Sequence, residues 1–284
     1  MAVVLFLTAP ALAVQVDDGS LPQVLTYHGV LALVNRASKV TKKYVPEDLV
    51  VPQVAMRRKG EEQGIRMRLS AARALERMFE EALAQGHTLI AASGYRSFGV
   101  QDLRFQAKVK EVGTKEKAWR TVAPAGASEH QLGLAMDLQS PSMPRLNRAF
   151  SETPEGIWVA QNAHRYGFVV RYQRAWTETT GYLYEPRHVR YLGIAHATAV
   201  SALNIPYEDY YEALKSIPEY ALLGATDVLL TGLVSAIRSG DLALLQQLMS
   251  AAPDEQDAAL QIVTGPFLAN GQTYGQALER CFPA

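Results

Sequence analysis

The chain has 284 residues, 48% of them hydrophobic, and its 28 Lys+Arg are balanced by 28 Asp+Glu. That composition is globular and supports a substantial core, in one large domain or a domain with an appendage. A neutral balance without a basic run argues against a nucleic-acid partner, and the lone Cys281 rules out an intrachain disulfide or a thiolate metal site.

Residues 3–7 are an apolar run, and residues 10–13 end in a small-x-small pattern. Together they resemble the apolar region and cleavage site of a secretory signal, without the usual basic residues in front. Residues 1–13 are therefore read as a signal or anchor segment, and an exported or cell-envelope location is expected. No other stretch reaches the ~18 apolar residues of a membrane span, so any membrane anchor lies at the N-terminus.

Further along, residues 30–35 read as an early strand and residues 44–52 as extended chain broken by prolines. Ala71, Ala74, Leu75, Met78, Phe79, Ala82 and Leu83 form a helical stripe, with Ser70 placed to cap its start and Gly86 to close its end. Residues 88–92 follow as a short buried strand. A turn at Ser93-Gly94-Tyr95-Arg96-Ser97 leads into a helix over 99–111. In 132–138, Leu132, Leu134, Met136 and Leu138 alternate with Gly133, Ala135 and Asp137, which predicts a strand with a carboxylate on a face of very small residues. Such a bare face is expected to leave room for a metal and a substrate.

Thr153-Pro154-Glu155 is a helix start, and that helix is expected to run through Trp158 to Tyr166 and stop at Gly167. Residues 168–172 and 182–191 read as strands. This order is not a regular βαβ alternation. It predicts an α+β fold, with helices packed on a mainly antiparallel sheet. After residue 215 the texture becomes helical, with one stripe over 228–237 and a second after Asp241. The expected organisation is a segment at 1–13, a catalytic domain over 14–215 and a helical extension over 216–284.

The chemistry lies in two polar segments, Ser128-Glu129-His130 through Asp137 and Glu185-Pro186-Arg187-His188. His130, Asp137 and His188 match the ligand set of a hydrolytic zinc site, with a position left open for water. An unpaired strand carboxylate is unfavourable in a core, and no Lys or Arg lies within five residues of Asp137. Glu185 is the candidate general base. In a regular strand Glu185 and His188 would face opposite ways, but Pro186 favours a bulge that brings both to one cavity. Without a metal, Glu185 would instead be an exposed carboxylate paired with Arg187 or Arg190. Arg96, on a tight turn, suits a guanidinium that holds a carboxylate or a developing oxyanion. Gln101 and Ser128 are candidate hydrogen-bond donors to substrate. His28, His87, His164 and His196 lack partners at ligand spacing.

These motifs resemble the VanY-type D-alanyl-D-alanine carboxypeptidases, within the zinc peptidases that include lysostaphin-type enzymes and the hedgehog signalling fold. The resemblance runs from about residue 30 to residue 212. It implies that His130, Asp137 and His188 bind zinc and that Glu185 is the catalytic acid/base. It also implies that Arg96 binds substrate and stabilises the tetrahedral intermediate, and that Ser128 contacts substrate. The implied reaction removes the terminal D-Ala from peptidoglycan stem peptides outside the cytoplasm. A cell-wall dipeptidase or endopeptidase of the same fold is the alternative, and a non-catalytic wall-binding module a further one. One departure stands out: Arg187 occupies the place where the family commonly has tryptophan.

Overall fold

The computed structural model describes residues 29–216, apart from 58, 59, 61, 145 and 146. The segment at 1–13, His28, Cys281 and the stripes expected after residue 228 lie outside the described residues.

β1 (Leu49–Val50) pairs antiparallel with β2 (Met67–Arg68), and α1 (Leu69–Ala84) begins directly after. The expected stripe is in place except for Leu83, which is exposed: Ala71, Ala74, Leu75, Met78, Phe79 and Ala82 are buried. The start of α1 differs from expectation, because its N-cap is Arg68 and no side chain caps it. Backbone bonds from Arg68 N to Gly133 O (2.8 Å) and from Leu69 N to Asp48 O (2.9 Å) hold the chain there. Tertiary backbone partners thus anchor the start of α1 ahead of Ser70. Gly86, at φ 84°, follows the end of the helix as anticipated.

β3 (Ile90–Ser93), α2 (Phe98–Val112) and α3 (Lys115–Trp119) come next, with Ser97 and Thr114 capping the two helices. A 3-10 turn at Glu129–Leu132 precedes β4 (Ala135–Gln139). α4 (Pro154–Asn162) starts as anticipated, with Thr153 Oγ1 accepting from Gly156 N at 3.0 Å. It tightens into a 3-10 turn at Ala163–Tyr166 before Gly167. β5 (Phe168–Tyr172), α5 (Thr177–Thr180), β6 (Glu185–Tyr191), α6 (Ile194–Leu203) and α7 (Tyr207–Ser216) complete the order.

The main sheet runs β3-β4-β6-β5 with every neighbour antiparallel. Leu134, Met136, Leu138, Phe168, Val170 and Val189 share one apolar cluster with Leu75 and Met78 of α1 and with Trp158 and Val159 of α4. Helices therefore cover one face of an antiparallel sheet, the α+β arrangement anticipated from the element order. By strand alternation Asp137, His188, Arg190 and Arg171 belong to the opposite face.

Residues 30–35 form no strand. Leu31, Ala32, Leu33 and Val34 are buried, but side chains take their carbonyls. Arg190 Nη2 donates to Val30 O (2.8 Å) and Ala32 O (2.7 Å), and the Tyr207 hydroxyl donates to Leu31 O. The segment after Leu132 also starts later than expected, because Gly133 turns the chain at φ 67°. The last strand begins at Glu185 instead of residue 182, because Leu183 N bonds to Arg120 O (2.9 Å) at the end of α3.

Candidate active site

β4 and β6 set Asp137 directly across from His188 in the strand register. The 3-10 turn at Glu129–Leu132 swings His130 over the same point, with the two imidazole centroids 4.9 Å apart. His130 Nε2 lies 3.4 Å from Asp137 Oδ2, and His188 Nδ1 lies 3.2 Å from Asp137 Oδ1. One ligand atom from each of the three residues falls within 4.8 Å of the other two, and all three residues are buried.

Hydrogen bonds on the far side fix each ring. His130 Nδ1 sits 2.7 Å from the Gly94 carbonyl, which only accepts, so Nδ1 carries the proton and Nε2 presents a lone pair to the site. His188 Nε2 sits 3.1 Å from Glu129 Oε2, which leaves Nδ1 facing Asp137. A tetrahedral ion with bonds of about 2 Å holds neighbouring ligand atoms roughly 3.3 Å apart, close to the two separations here. The donor set, the spacing and the outer hydrogen bonds all fit a divalent ion.

Electrostatics set the protonation of each candidate ligand. Burial, reinforced by the Arg96 charge, lowers His130 to about 4, so the ring is neutral. Burial also opposes a charged His188, but its bonds to Asp137 and Glu129 prevail and raise it to about 9. A proton there does what a metal ion would do: it separates two lone-pair-bearing atoms. Asp137 is held well below the carboxylate range; burial pushes it up, and the Arg187 charge and the hydrogen bond with His188 outweigh that.

Glu185 reaches the same cavity through a bulge. Val170 pairs with Val189 but Tyr172 pairs with Glu185, so β6 takes more residues than β5 over the same interval. That irregularity, with Pro186 inside it, brings Glu185 and His188 into one lining, as the sequence suggested. Burial raises the Glu185 pKa, against the charges of Arg187 and His188. The ion pair between Glu185 and Arg187 is long, at 3.9 Å. Arg187 Nη1 instead donates to Asp137 Oδ1 at 3.0 Å, so a cation from the far end of the motif meets the strand carboxylate.

Arg96 lines the cavity from the turn after β3, with its backbone N bonded to His130 O at 3.1 Å. Its Nε is buried without a hydrogen-bond partner, and burial lowers its pKa to about 10. Gln101 donates through Nε2 to Ala123 O at 2.6 Å, leaving its buried Oε1 unpartnered. Ser128 is buried in the same lining. All seven residues singled out from sequence thus border one hollow of about 110 Å³. Of the other histidines, His196 is buried with Nδ1 2.8 Å from the Tyr210 hydroxyl, and His87 lies against Trp158.

The small residues near Asp137 have a different purpose from the one expected. A Cβ on Gly133 would come within 2.8 Å of Leu49 Cδ2 and 3.1 Å of Arg68 Cγ, so Gly133 serves close packing of β1 and β2. Ala135 stands opposite Arg190 in the register. Gly94 is constrained even more tightly, since a Cβ there would sit 2.5 Å from Arg66 O. That contact fixes the carbonyl that orients His130.

Sequence reasoning missed the support beneath His188. Glu129 Oε1 accepts from Arg171 Nε at 2.8 Å and from Arg190 Nη1 at 3.1 Å, all three being buried. Burial alone would raise the Glu129 pKa, but the two guanidinium charges hold it far below the ordinary carboxylate range. Arg171 also makes a two-pronged pair with Glu208 of α7, at 2.9 and 2.6 Å. The available signal was Arg171 inside an apolar strand, which calls for a buried carboxylate.

An antiparallel sheet covered by helices on one face, with a metal-competent His/Asp/His cluster beside a buried glutamate on the other, defines a hydrolase domain. The family model described as D-alanyl-D-alanine carboxypeptidase (VanY) matches residues 64–194. Bacillus subtilis (strain 168) YodJ is 42% identical over 189 residues, which cover 66% of this chain and 69% of that protein. The LdcB LD-carboxypeptidase structure superposes with a TM-score of 0.63 at 41% identity, over 66% of this chain and 87% of that one. A VanY D,D-pentapeptidase solved with Zn(II) gives a TM-score of 0.54 at 33% identity, over 65% and 99%. The chain belongs to the VanY carboxypeptidase family.

Proposed function

We propose that this chain is a zinc-dependent D-alanyl-D-alanine carboxypeptidase that removes the terminal D-Ala from peptidoglycan stem peptides. His130 Nε2, His188 Nδ1 and an Asp137 oxygen are the ligands. The carrying observation is the bulge at Pro186, which seats Glu185 in the same lining as the His/Asp/His cluster. A bound zinc supplies Lewis acidity, lowering the pKa of water and polarising a carbonyl.

The protein's own residues do the rest. Glu185 accepts a proton from the attacking water as its oxygen bonds to the scissile carbonyl carbon. The raised pKa of Glu185 suits a group that must take up and release that proton. Arg96, which lines the cavity, supplies a guanidinium donor to the developing oxyanion. When the C–N bond breaks, Glu185 passes its proton to the departing amine of D-Ala. Ser128 and Gln101 supply hydrogen-bonding groups to hold the substrate in place. Peptidoglycan lies outside the cytoplasm, and export through residues 1–13 belongs to the same proposal, as does the division into a peptidase domain over 14–215 and a helical extension.

The test is D-Ala release from a synthetic pentapeptide ending in D-Ala-D-Ala, by protein loaded with zinc. Glu185→Ala is expected to lower release by about 10²–10⁴-fold with the metal retained. Activity that survives the change contradicts the role. The similarity to an LD-carboxypeptidase supports a second reading, in which the bond cut is the one before D-Ala in a tetrapeptide. Mass analysis of products from pentapeptide and tetrapeptide substrates separates the two.

A further inference from the structure

The small chamber around the metal ligands opens onto a larger hollow of about 640 Å³. Thr121, Val122, Glu185 and Arg187 line both, so the two spaces meet at Glu185. A carboxypeptidase has one residue beyond the cleaved bond, and a chamber of about 110 Å³ suits an alanine-sized leaving group. The rest of the peptide needs the larger space.

The walls of that space are cationic. Gln101, Arg104 and Lys108 follow one face of α2. Arg104 borders the chamber and Lys108 the outer hollow. Across from them stand Arg187 and the exposed Arg148. Arg174 adds a further cation, 4.3 Å from the ring centroid of Tyr184 on the same wall. The charged residues lining the outer hollow are Lys108, Arg148, Arg187 and Glu185, in a chain with no net charge. Lys108 also bonds Glu111 at 2.6 Å, but that carboxylate is 66% exposed and such pairs are weak.

We infer that the outer hollow binds the substrate residues preceding the cleaved bond and selects a free carboxylate among them, through Lys108, Arg148 and Arg187. In a stem peptide that carboxylate has two possible sources. One is the side chain of a diaminodicarboxylic acid at the third position; the other is the α-carboxylate of a γ-linked glutamate at the second. The inference rests on the function proposed above.

The experiment uses the full chain carrying Glu185→Ala, loaded with zinc, and titration calorimetry with four pentapeptides. These carry lysine or meso-diaminopimelic acid at position three, and glutamate or isoglutamine at position two. Binding about tenfold tighter for the member of a pair that bears the carboxylate is expected, with the gap narrowing as salt rises. The pair that shows the gap identifies the source. Arg148→Ala and Lys108→Ala, both at the surface, are expected to bring the ratio toward one. Equal binding of all four peptides, binding of none, or a ratio indifferent to both substitutions overturns the inference. D-Ala release by the unsubstituted enzyme is measured separately, so failure of the hydrolytic reading shows there and leaves the binding result standing.

Discussion

The two faces of the four-stranded sheet are held by different forces. On the helix-covered face, Leu134, Met136, Leu138, Val170 and Val189 pack among Leu75, Met78 and Val159. That attraction is non-directional, so replacements of similar volume are tolerated. On the other face, Asp137, His188, Glu129, Arg171 and Arg190 are joined by bonds of 2.8–3.2 Å. There the interaction depends on direction and on completeness, because loss of one member leaves its partner charged, buried and alone. The first face keeps the strands together. The second converts their register into a chemical geometry.

The comparison predicts unequal responses to truncation. Glu129→Ala leaves Arg171 and Arg190 without their shared carboxylate and releases His188 Nε2. A loss of about 3–5 kcal/mol in unfolding free energy is expected by denaturant titration, together with weaker zinc binding. Met78→Ala, on the apolar face, is expected to destabilise by about 3 kcal/mol through a cavity while leaving zinc affinity close to its original value. If Met78→Ala weakened zinc binding as much as Glu129→Ala, the division between the faces would be wrong. Thr153→Ala removes the cap of α4 and should lower stability by about 1 kcal/mol, read from the same titrations.

How much of this was legible from sequence depends on which force was at work. Periodic burial gave α1, and the Thr153-Pro154 pair gave the start of α4, because those signals are local. The seven candidate residues share one hollow, which their types, their spacing and the family resemblance had suggested, and Pro186 pointed to the bulge. The misread residues 30–35 are as apolar as a strand, yet their partners are Arg190 and Tyr207, far away in sequence. Glu129 stayed hidden for the same reason. Its meaning depends on two arginines that meet it only once β5 and β6 are in register. Gly133 was given a role at the site when its constraint is the approach of Leu49 and Arg68.

Arg187 borders both the inner chamber and the outer hollow. It stands where the sequence resemblance leads one to expect tryptophan, and it donates to Asp137. A guanidinium at that point orients a proposed ligand and gives the proposed substrate path a positive wall.

The central claim is that His130, Asp137 and His188 hold zinc while Glu185 carries the proton. It is tested most directly by measuring zinc content and D-Ala release on one preparation of Glu185→Gln. One zinc per chain and release lowered by about 10²–10⁴-fold are expected. Release at the unsubstituted rate, with the zinc in place, would contradict the claim.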